Sequence, residues 1–154
     1  MFDIVFGRLN FEDADEILSA ARMHESAPLN WNPKYIVRDE RVQNWVRFLE
    51  RAASDPTVFV VSAKTQAGEI VGLHWLQLIE KYNAKCAHIQ TLWVSEDYRG
   101  SGIGKELKRR GEHWARSVGA KFVVTEVFYA NRKMIDYNVK LGFTARQVEM
   151  IKDL

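Results

Sequence analysis

The sequence predicts an α/β protein (α+β in schemes that stress its antiparallel half) with one mixed central sheet and helices on both faces. Two observations predict it. Segments with the 3.6-residue period of a helix are interspersed with β-branched and aromatic runs. A strand–glycine loop–helix–strand unit around residue 100 also requires a parallel, right-handed crossover. The predicted order is β-α-α-β-β-β-α-β-α-β, and 154 residues fit one domain, 1–154.

The first third of the chain is predicted to hold a strand, two helices and a loop. "IVFGRL" (4–9) is typical of a strand, after which Asn10 is predicted to cap a helix that runs to about Met23. Segment 27–37 has two prolines, two asparagines and no regular period, so we expect a loop that contacts substrate or forms a mobile lid. A second, amphipathic helix is then indicated by five apolar residues on one face: Val42, Trp45, Val46, Leu49 and Ala53.

The middle of the chain predicts a meander of three antiparallel strands. "TVFVVSAK" (57–64), "EIVGLHWLQLI" (69–79) and "CAHIQTLWV" (86–94) are apolar, β-branched or aromatic, and short spacers separate them. Side chains alternate along a strand, which predicts one shared face for four residues of the third run: His88, Gln90, Leu92 and Val94.

The last third predicts a helix, a strand, a short helix and a strand. The first helix starts at Ile103 and ends near Gly119. One face is apolar, and its other face is expected to be solvated: Lys105, Lys108, Arg109, Glu112 and Arg116. "KFVVTEVF" (121–128) and "FTARQVEMIK" (143–152) are the predicted strands on either side of a helix over 131–141.

Composition excludes several classes of protein. No apolar run approaches the ~20 residues that span a bilayer, so we expect no membrane insertion. The N-terminal ten residues lack a secretory pattern, and Cys86 alone cannot form an intrachain disulfide, so we expect a cytoplasmic protein. A net charge of +2 without aromatic residues between the basic ones argues against nucleic acid as a partner.

The stretch "WVSEDYRGSGIGKELKRR" (93–110) has the form of a phosphate-binding loop before a helix. A Walker loop would need glycine at Arg99 and a hydroxyl residue at Glu106. A dinucleotide fingerprint would need its third glycine at Lys105 or Leu107. Both alternatives fail, and the pattern that remains is R-x-x-G-x-G, formed by Arg99, Gly102 and Gly104.

This loop resembles that of the GNAT N-acetyltransferase superfamily, which has the form [QR]-x-x-G-x-[GA] between a strand and a helix. The later segment "NRKMIDYNVKLGF" (131–143) is similar to the family's N-x-x-A-x-x-x-Y-x-x-x-G-F at Asn131, Gly142 and Phe143. It departs from the family at the usual tyrosine, which falls on Asn138, with Tyr137 one position earlier.

The resemblance implies acetyl-coenzyme A (acetyl-CoA) as co-substrate and no metal. Glycine-turn amides and the positive end of a helix bind pyrophosphate well. The family's strand before the loop holds the pantetheine arm through backbone groups. Carried over residue by residue, the coenzyme-binding set is Leu92, Trp93, Val94, Arg99, Gly100, Ser101, Gly102, Ile103, Gly104, Lys105, Asn131, Tyr137 and Asn138.

The resemblance also suggests catalytic residues. Some members carry Glu or His eleven positions before the loop arginine as general base, and His88 stands there; imidazole suits that task, and a structural polar residue is the alternative. Glu126 is a weaker base candidate. Tyr137 is an acid only if its hydroxyl turns toward the coenzyme sulfur, while Asn138 faces the right way but only hydrogen-bonds.

We therefore expect an acyltransferase that moves acetyl from acetyl-CoA to a primary amine of an unidentified acceptor, small molecule or peptide. A non-catalytic acyl-CoA sensor is the alternative, because the loop is intact while the tyrosine is displaced. The resemblance also allows a homodimer. Trp31 and Tyr35 either line an acceptor pocket or anchor the loop around them, and we favour anchoring.

Overall fold

The computed structural model describes residues 3–154, which form a five-stranded sheet with helices on both faces. The strands are β1 Ile4–Arg8, β2 Val58–Thr65, β3 Ile70–Lys81, β4 Ala84–Val94 and β5 Phe122–Val124. The helices are α1 Ala14–Ser26, α2 Asp39–Ala52, α3 Ile103–Ser117 and α4 Arg132–Lys140, and short 3-10 turns lie at Ala27–Asn30 and Glu96–Tyr98. The α/β class is confirmed, as is the predicted order as far as α4.

The sheet has the order β1-β2-β3-β4-β5. Its first four strands pair antiparallel, and β5 pairs parallel to β4, which confirms the crossover through α3. The β3–β4 hairpin closes in two residues, Tyr82 and Asn83, with φ of 54° and 58°. Such a turn matches the twist of paired strands, so both strands extend further than the sequence indicated.

The two faces of the sheet have separate cores. Helices α1 and α2 pack on one face against Val60, Leu73 and Trp75. Helix α3 packs on the other, where Ile103 and Leu107 contact Val61 and Val71. Among residues 3–154, no helix is both long and apolar enough to cross a membrane.

Helix α1 begins later than predicted. Its N-cap is Asp13, whose carboxylate accepts hydrogen bonds from the amides of Asp15 and Glu16. Asn10 instead accepts from the Glu12 amide in a turn before the helix. Both side chains can cap a helix, and aspartate also interacts favourably with the positive helix end.

The last predicted strand, 143–152, is absent, and β5 is only three residues long. Met150 and Ile151 are 90% and 82% exposed. Adjacent residues of a strand point to opposite faces, so these two side chains could not be buried together on one face. A strand also needs a ladder partner for its backbone groups, and none of the described strands pairs with this segment.

Candidate active site

Strands β4 and β5 diverge, and the gap between them opens toward the glycine loop. They pair only at Cys86–His88, because β5 ends at Val124 while β4 continues to Val94. Beyond His88, the described residues supply a strand partner for β4 only on the β3 side. We call this gap the fork. Its β4 edge presents backbone donors and acceptors to whatever occupies it.

A β-bulge at Gln90 changes which side chains share a face of β4. Thr91 pairs with Trp75 and Ile89 with Leu76, which leaves Gln90 without a register partner. The prediction that His88, Gln90, Leu92 and Val94 share one face is therefore wrong. An extra residue in one strand interrupts the two-residue alternation, a feature that the apolar pattern does not reveal.

Contacts show the two faces directly. Leu92 and Val94 pack with the α3 core, as does Ile89 before the bulge. Thr91 lies on the α1 face, where its hydroxyl hydrogen-bonds His24. His88, one residue before Ile89, takes the α1 face as well.

His88 is held by two polar neighbours. Its Nε2 lies 2.8 Å from Glu126 Oε2, and its Nδ1 lies 2.8 Å from the side-chain nitrogen of Gln90. Because the Gln90 amide donates to Nδ1, the proton of the neutral ring belongs on Nε2, which donates to Glu126. Glu126 is 71% exposed, and Lys81 lies 3.7 Å from its other oxygen. The carboxylate orients the ring and would stabilise an imidazolium.

The glycine loop delivers the start of α3 to the mouth of the fork. Gly100 and Gly102 have φ of 77° and 90°, a region that favours glycine. Gly102 is the N-cap of α3, and no side chain caps the helix there. Ser101 donates to the Tyr98 carbonyl instead. The first amides of α3 and its positive dipole end thus form a site suited to an anion.

Arg99 ties this loop to two other elements. Its Nε donates to the Val94 carbonyl over 3.0 Å, and its Nη2 donates to Asn30 Oδ1 over 3.1 Å. A guanidinium has five N–H groups, so these bonds leave capacity for phosphate oxygens. Lys105 is exposed on the first turn of α3 nearby, whereas Ile103 is buried in the core.

Helix α4 borders the fork on the side of α3. Asn131 caps α4 by accepting from the Met134 amide over 3.3 Å. The Tyr137 hydroxyl lies 3.8 Å from the point where a Cβ on Gly104 would stand, at the loop end of the fork. Burial raises the pKa of that hydroxyl above its usual value. Tyr137 therefore meets the start of α3.

Asn138 is buried, and its Oδ1 accepts a hydrogen bond of 2.9 Å from Lys108 Nζ. The expectation that Lys108 belongs to the solvated face of α3 is wrong, because that residue is only 4% exposed. A signal was present in the sequence: Gly104, Gly111 and Ala115 stand four before, three after and seven after Lys108. Small residues at helical spacing mark a face against which other elements pack closely.

Two further residues, which no sequence pattern indicated, build the α1 face: His24 and Glu25. The His24 ring packs edge-on against Trp45 and tilted against Trp75, with centroids 4.3 and 4.6 Å away. Its Nδ1 contacts the Thr91 hydroxyl, so α1 reaches the fork strand beside the bulge. Burial lowers the pKa of His24 to about 4, despite the opposing charge of Glu25.

Glu25 is buried and accepts hydrogen bonds from three side chains. The Tyr35 hydroxyl lies 2.8 Å away, Arg41 Nε 2.9 Å and Trp45 Nε1 3.0 Å. These bonds join α1, α2 and the segment between them, so the anchoring role favoured for Tyr35 is confirmed. Trp31 remains partly exposed at 38%.

Within residues 3–154, no group of three or more His, Cys, Asp or Glu residues could hold a metal ion. Among the described residues, the site combines a helix start suited to an anion, a strand edge that β5 leaves unpaired and an imidazole–carboxylate pair.

The chain is similar to several known proteins. The family model described as "Acetyltransferase (GNAT) family" matches residues 20–143. Mycothiol acetyltransferase of Corynebacterium glutamicum is 34% identical over 83 residues, which are 54% of this chain and 27% of that protein. An uncharacterized N-acetyltransferase of Bacillus subtilis is 28% identical over 112 residues, 73% of this chain and 72% of that one. The chain thus spans little more than a quarter of the first relative.

Solved structures share the fold at low identity. Glucosamine-6-phosphate N-acetyltransferase from Arabidopsis thaliana aligns with a TM-score of 0.67 and 18% identity over 97% of each chain. An aminoglycoside acetyltransferase from an uncultured soil metagenomic sample aligns with a TM-score of 0.73 and 18% identity, covering 98% of this chain and 96% of that one. At these identities the likeness concerns the fold.

Proposed function

The chain belongs to the GNAT acetyltransferase family, and on that premise we propose that it transfers the acetyl group of acetyl-CoA to a primary amine. The observation that supports this most strongly is the fork, which opens beside the uncapped start of α3. We propose that residues 1–154 act as one acetyltransferase domain.

The donor is proposed to lie along the fork. Its pyrophosphate accepts hydrogen bonds from the amides of Gly102 to Gly104, with charge from Arg99 and Lys105. The pantetheine arm then follows the edge of β4 from Val94 toward the bulge at Gln90, pairing with backbone groups that β5 leaves free. Tyr137 borders the loop end of this path, and Asn131 caps the helix that carries Tyr137.

The acceptor amine is proposed to approach from the α1 face, where His88 stands. An amine must lose its proton to attack the thioester carbonyl. His88 accepts that proton on Nδ1, directly or through water, after Gln90 moves aside. Glu126 stabilises the resulting imidazolium. The pantetheine arm, on the edge of β4, and the amine, from the α1 face, thus meet at the bulge.

A second function, that of an acyl-CoA sensor, is favoured by one observation. The residue at the family's usual tyrosine position is Asn138, which has no acidic proton and is already bonded to Lys108. A sensor would bind the coenzyme and release no thiol.

The test is thiol release from acetyl-CoA in the presence of a panel of amines: polyamines, amino acids, amino sugars, aminoglycosides and lysine peptides. We expect release with at least one amine, and mass spectrometry should find the acetyl group on that amine. Acetyl-CoA without amine measures background hydrolysis. Coenzyme binding with no product from any amine would support the sensor and contradict the enzyme.

A further inference from the structure

Lys108 is a buried cation that the proposed donor and base do not use. It is 4% exposed, and its ammonium donates to Asn138 Oδ1 and lies 4.6 Å from the centre of the Phe143 ring. None of the ion pairs among the described residues includes it. A buried charge without a bonded counter-charge is costly, so its presence calls for a function.

The surroundings of Lys108 lower its pKa but leave it protonated at neutral pH. Burial lowers its pKa to about 8, and the charge of Glu112, one turn later on α3, opposes that shift. On the sheet side the titratable neighbour is His74, whose own pKa is lowered to about 4 by burial and further by the charge of Lys108. His74 is therefore neutral, and the ammonium is the positive group of this cluster.

Neighbouring contacts place Lys108 beside the fork. Gly104, one turn earlier on α3, faces Val94 of β4 and Tyr137 of α4. The charge of Lys108 lowers the pKa of His74. His74 hydrogen-bonds the Thr91 carbonyl through Nδ1 and pairs with Leu92 in the sheet. Lys108 lies one turn after Gly104 on α3. The part of β4 beside that turn lies between Val94 and the bulge. This is also the direction in which the pantetheine arm is proposed to run.

Asn138, the hydrogen-bond partner of Lys108, stands at an informative position of the sequence pattern. Asn138 stands where the resemblance expects a tyrosine, and its side chain is several atoms shorter. The ammonium of Lys108 lies just beyond its amide oxygen. The pair Lys108–Asn138 thus extends from α4 as a longer side chain would, and it ends in a proton donor that asparagine alone lacks.

We propose that Lys108 stabilises and protonates the thiolate that leaves when the acetyl group is transferred. This rests on the proposed function. The amine nitrogen forms a bond to the carbonyl carbon, and the carbon–sulfur bond breaks with its electron pair going to sulfur. The amine proton goes to His88, while the ammonium of Lys108 gives its proton to the sulfur and regains one from solvent. Asn138 positions the ammonium through its amide oxygen.

The test is a titration of coenzyme A bound to the protein, followed by the ultraviolet absorbance of the thiolate. This readout needs no acceptor amine. In the wild type we expect the ammonium of Lys108 to lower the apparent pKa of the bound thiol. In Lys108→Met that apparent pKa should rise by about one unit or more. Methionine has a similar length and preserves the packing. Lys140→Met, an exposed lysine on α4, is the matched control and should titrate as the wild type does.

Coincident titrations of wild type and Lys108→Met, with both proteins binding coenzyme A, would overturn the proposal. So would a wild type that binds no coenzyme A. Thermal unfolding of each variant distinguishes a structural role of Lys108 from the proposed one. A purely structural role would change stability but not the thiol titration. If no amine is acetylated yet the thiol titration shifts as expected, the proposed function fails while the placement of Lys108 stands.

A second variant keeps the proposal testable if Lys108→Met does not fold. In Lys108→Ala combined with Asn138→Tyr, a tyrosine on α4 extends into the space that the lysine leaves. We expect it to restore much of the turnover lost in Lys108→Ala alone, at least about tenfold. Absence of rescue in a folded, coenzyme-binding double variant would contradict a proton-donor role at this position.

Discussion

The imidazole of His88 donates from Nε2 to Glu126 Oε2 over 2.8 Å, joining β4 to the segment that follows β5 across the base of the fork. The two strands stop pairing at His88, so this contact spans the point where they diverge. A base at that point lies next to the backbone that we propose to hold the thioester.

Replacing His88 with alanine should lower turnover roughly a hundredfold at acidic to neutral pH. The loss should shrink as pH rises, because solvent then deprotonates a growing share of the acceptor amine. The measurement is the pH profile of kcat/KM for both proteins. Glu126→Gln keeps a hydrogen-bond acceptor but removes the charge, so its kcat/KM should lie between those of the wild type and His88→Ala. An unaltered profile in His88→Ala would exclude this role.

Tyr137→Phe should weaken coenzyme binding by a few-fold and leave kcat within about threefold of the wild type. The reason is the position of the hydroxyl, which lies beside Gly104 at the loop end of the fork. Calorimetry with coenzyme A and steady-state kinetics separate the two effects. A large fall in kcat at unchanged affinity would instead identify Tyr137 as the acid.

Glu25→Gln should destabilise the fold by about 2 kcal/mol at neutral pH, because it weakens charged hydrogen bonds that connect α1, α2 and the intervening segment. Burial alone would raise the pKa of Glu25, but bonds from Tyr35, Trp45 and Arg41 outweigh it, and the net pKa is lowered. A lowered carboxyl pKa stabilises the fold above the ordinary carboxyl range, and that stability is lost as pH falls through the folded value.

The difference in unfolding free energy between wild type and Glu25→Gln should therefore shrink below about pH 4.5. Denaturant unfolding at several pH values measures it. Tyr35→Phe is a matched control that removes one of the bonds and should cost less. A difference that stays constant down to pH 3 would show that the charge of Glu25 contributes nothing.

Gly111→Ala should destabilise the protein by roughly 1 kcal/mol, although alanine ordinarily favours a helix interior by about that amount over glycine. A Cβ there would stand 2.7 Å from His74 Nε2 and 2.9 Å from Leu76 Cδ1, and overpacking of this kind costs about 1–3 kcal/mol. Gly7→Ala is the control, since nothing lies within 4 Å of its added Cβ. Equal or greater stability of Gly111→Ala in thermal unfolding would refute the close packing of α3 on β3.

Apolar periodicity and the glycine loop were enough to predict the class of fold and nearly every element. They work because a buried face leaves a regular trace in the sequence. The bulge at Gln90 leaves none: it depends on how two strands register, and the run "CAHIQTLWV" is compatible with unbroken alternation. As a result, the faces of His88 and Leu92 could not be assigned correctly from the sequence.

The chemistry of the site was predicted in part. Arg99 and the loop glycines follow from a local pattern, whereas the surroundings of Lys108 depend on contacts with Asn138, thirty residues away. A lysine within a basic stretch is usually solvated, and only the small residues around it indicated otherwise. Glu25 was hidden for the same reason, because its three donors come from separate segments.

The central claim, that the fork and the start of α3 hold acetyl-CoA, is tested most directly by hydrogen exchange with and without the coenzyme. Backbone amides exchange slowly when they are bonded and protected, so occupancy should be visible at the residues involved. We predict slower exchange in peptides covering 89–94 and 100–105 when acetyl-CoA is bound. Binding accompanied by protection only elsewhere, such as in α1 and α2, would contradict the account.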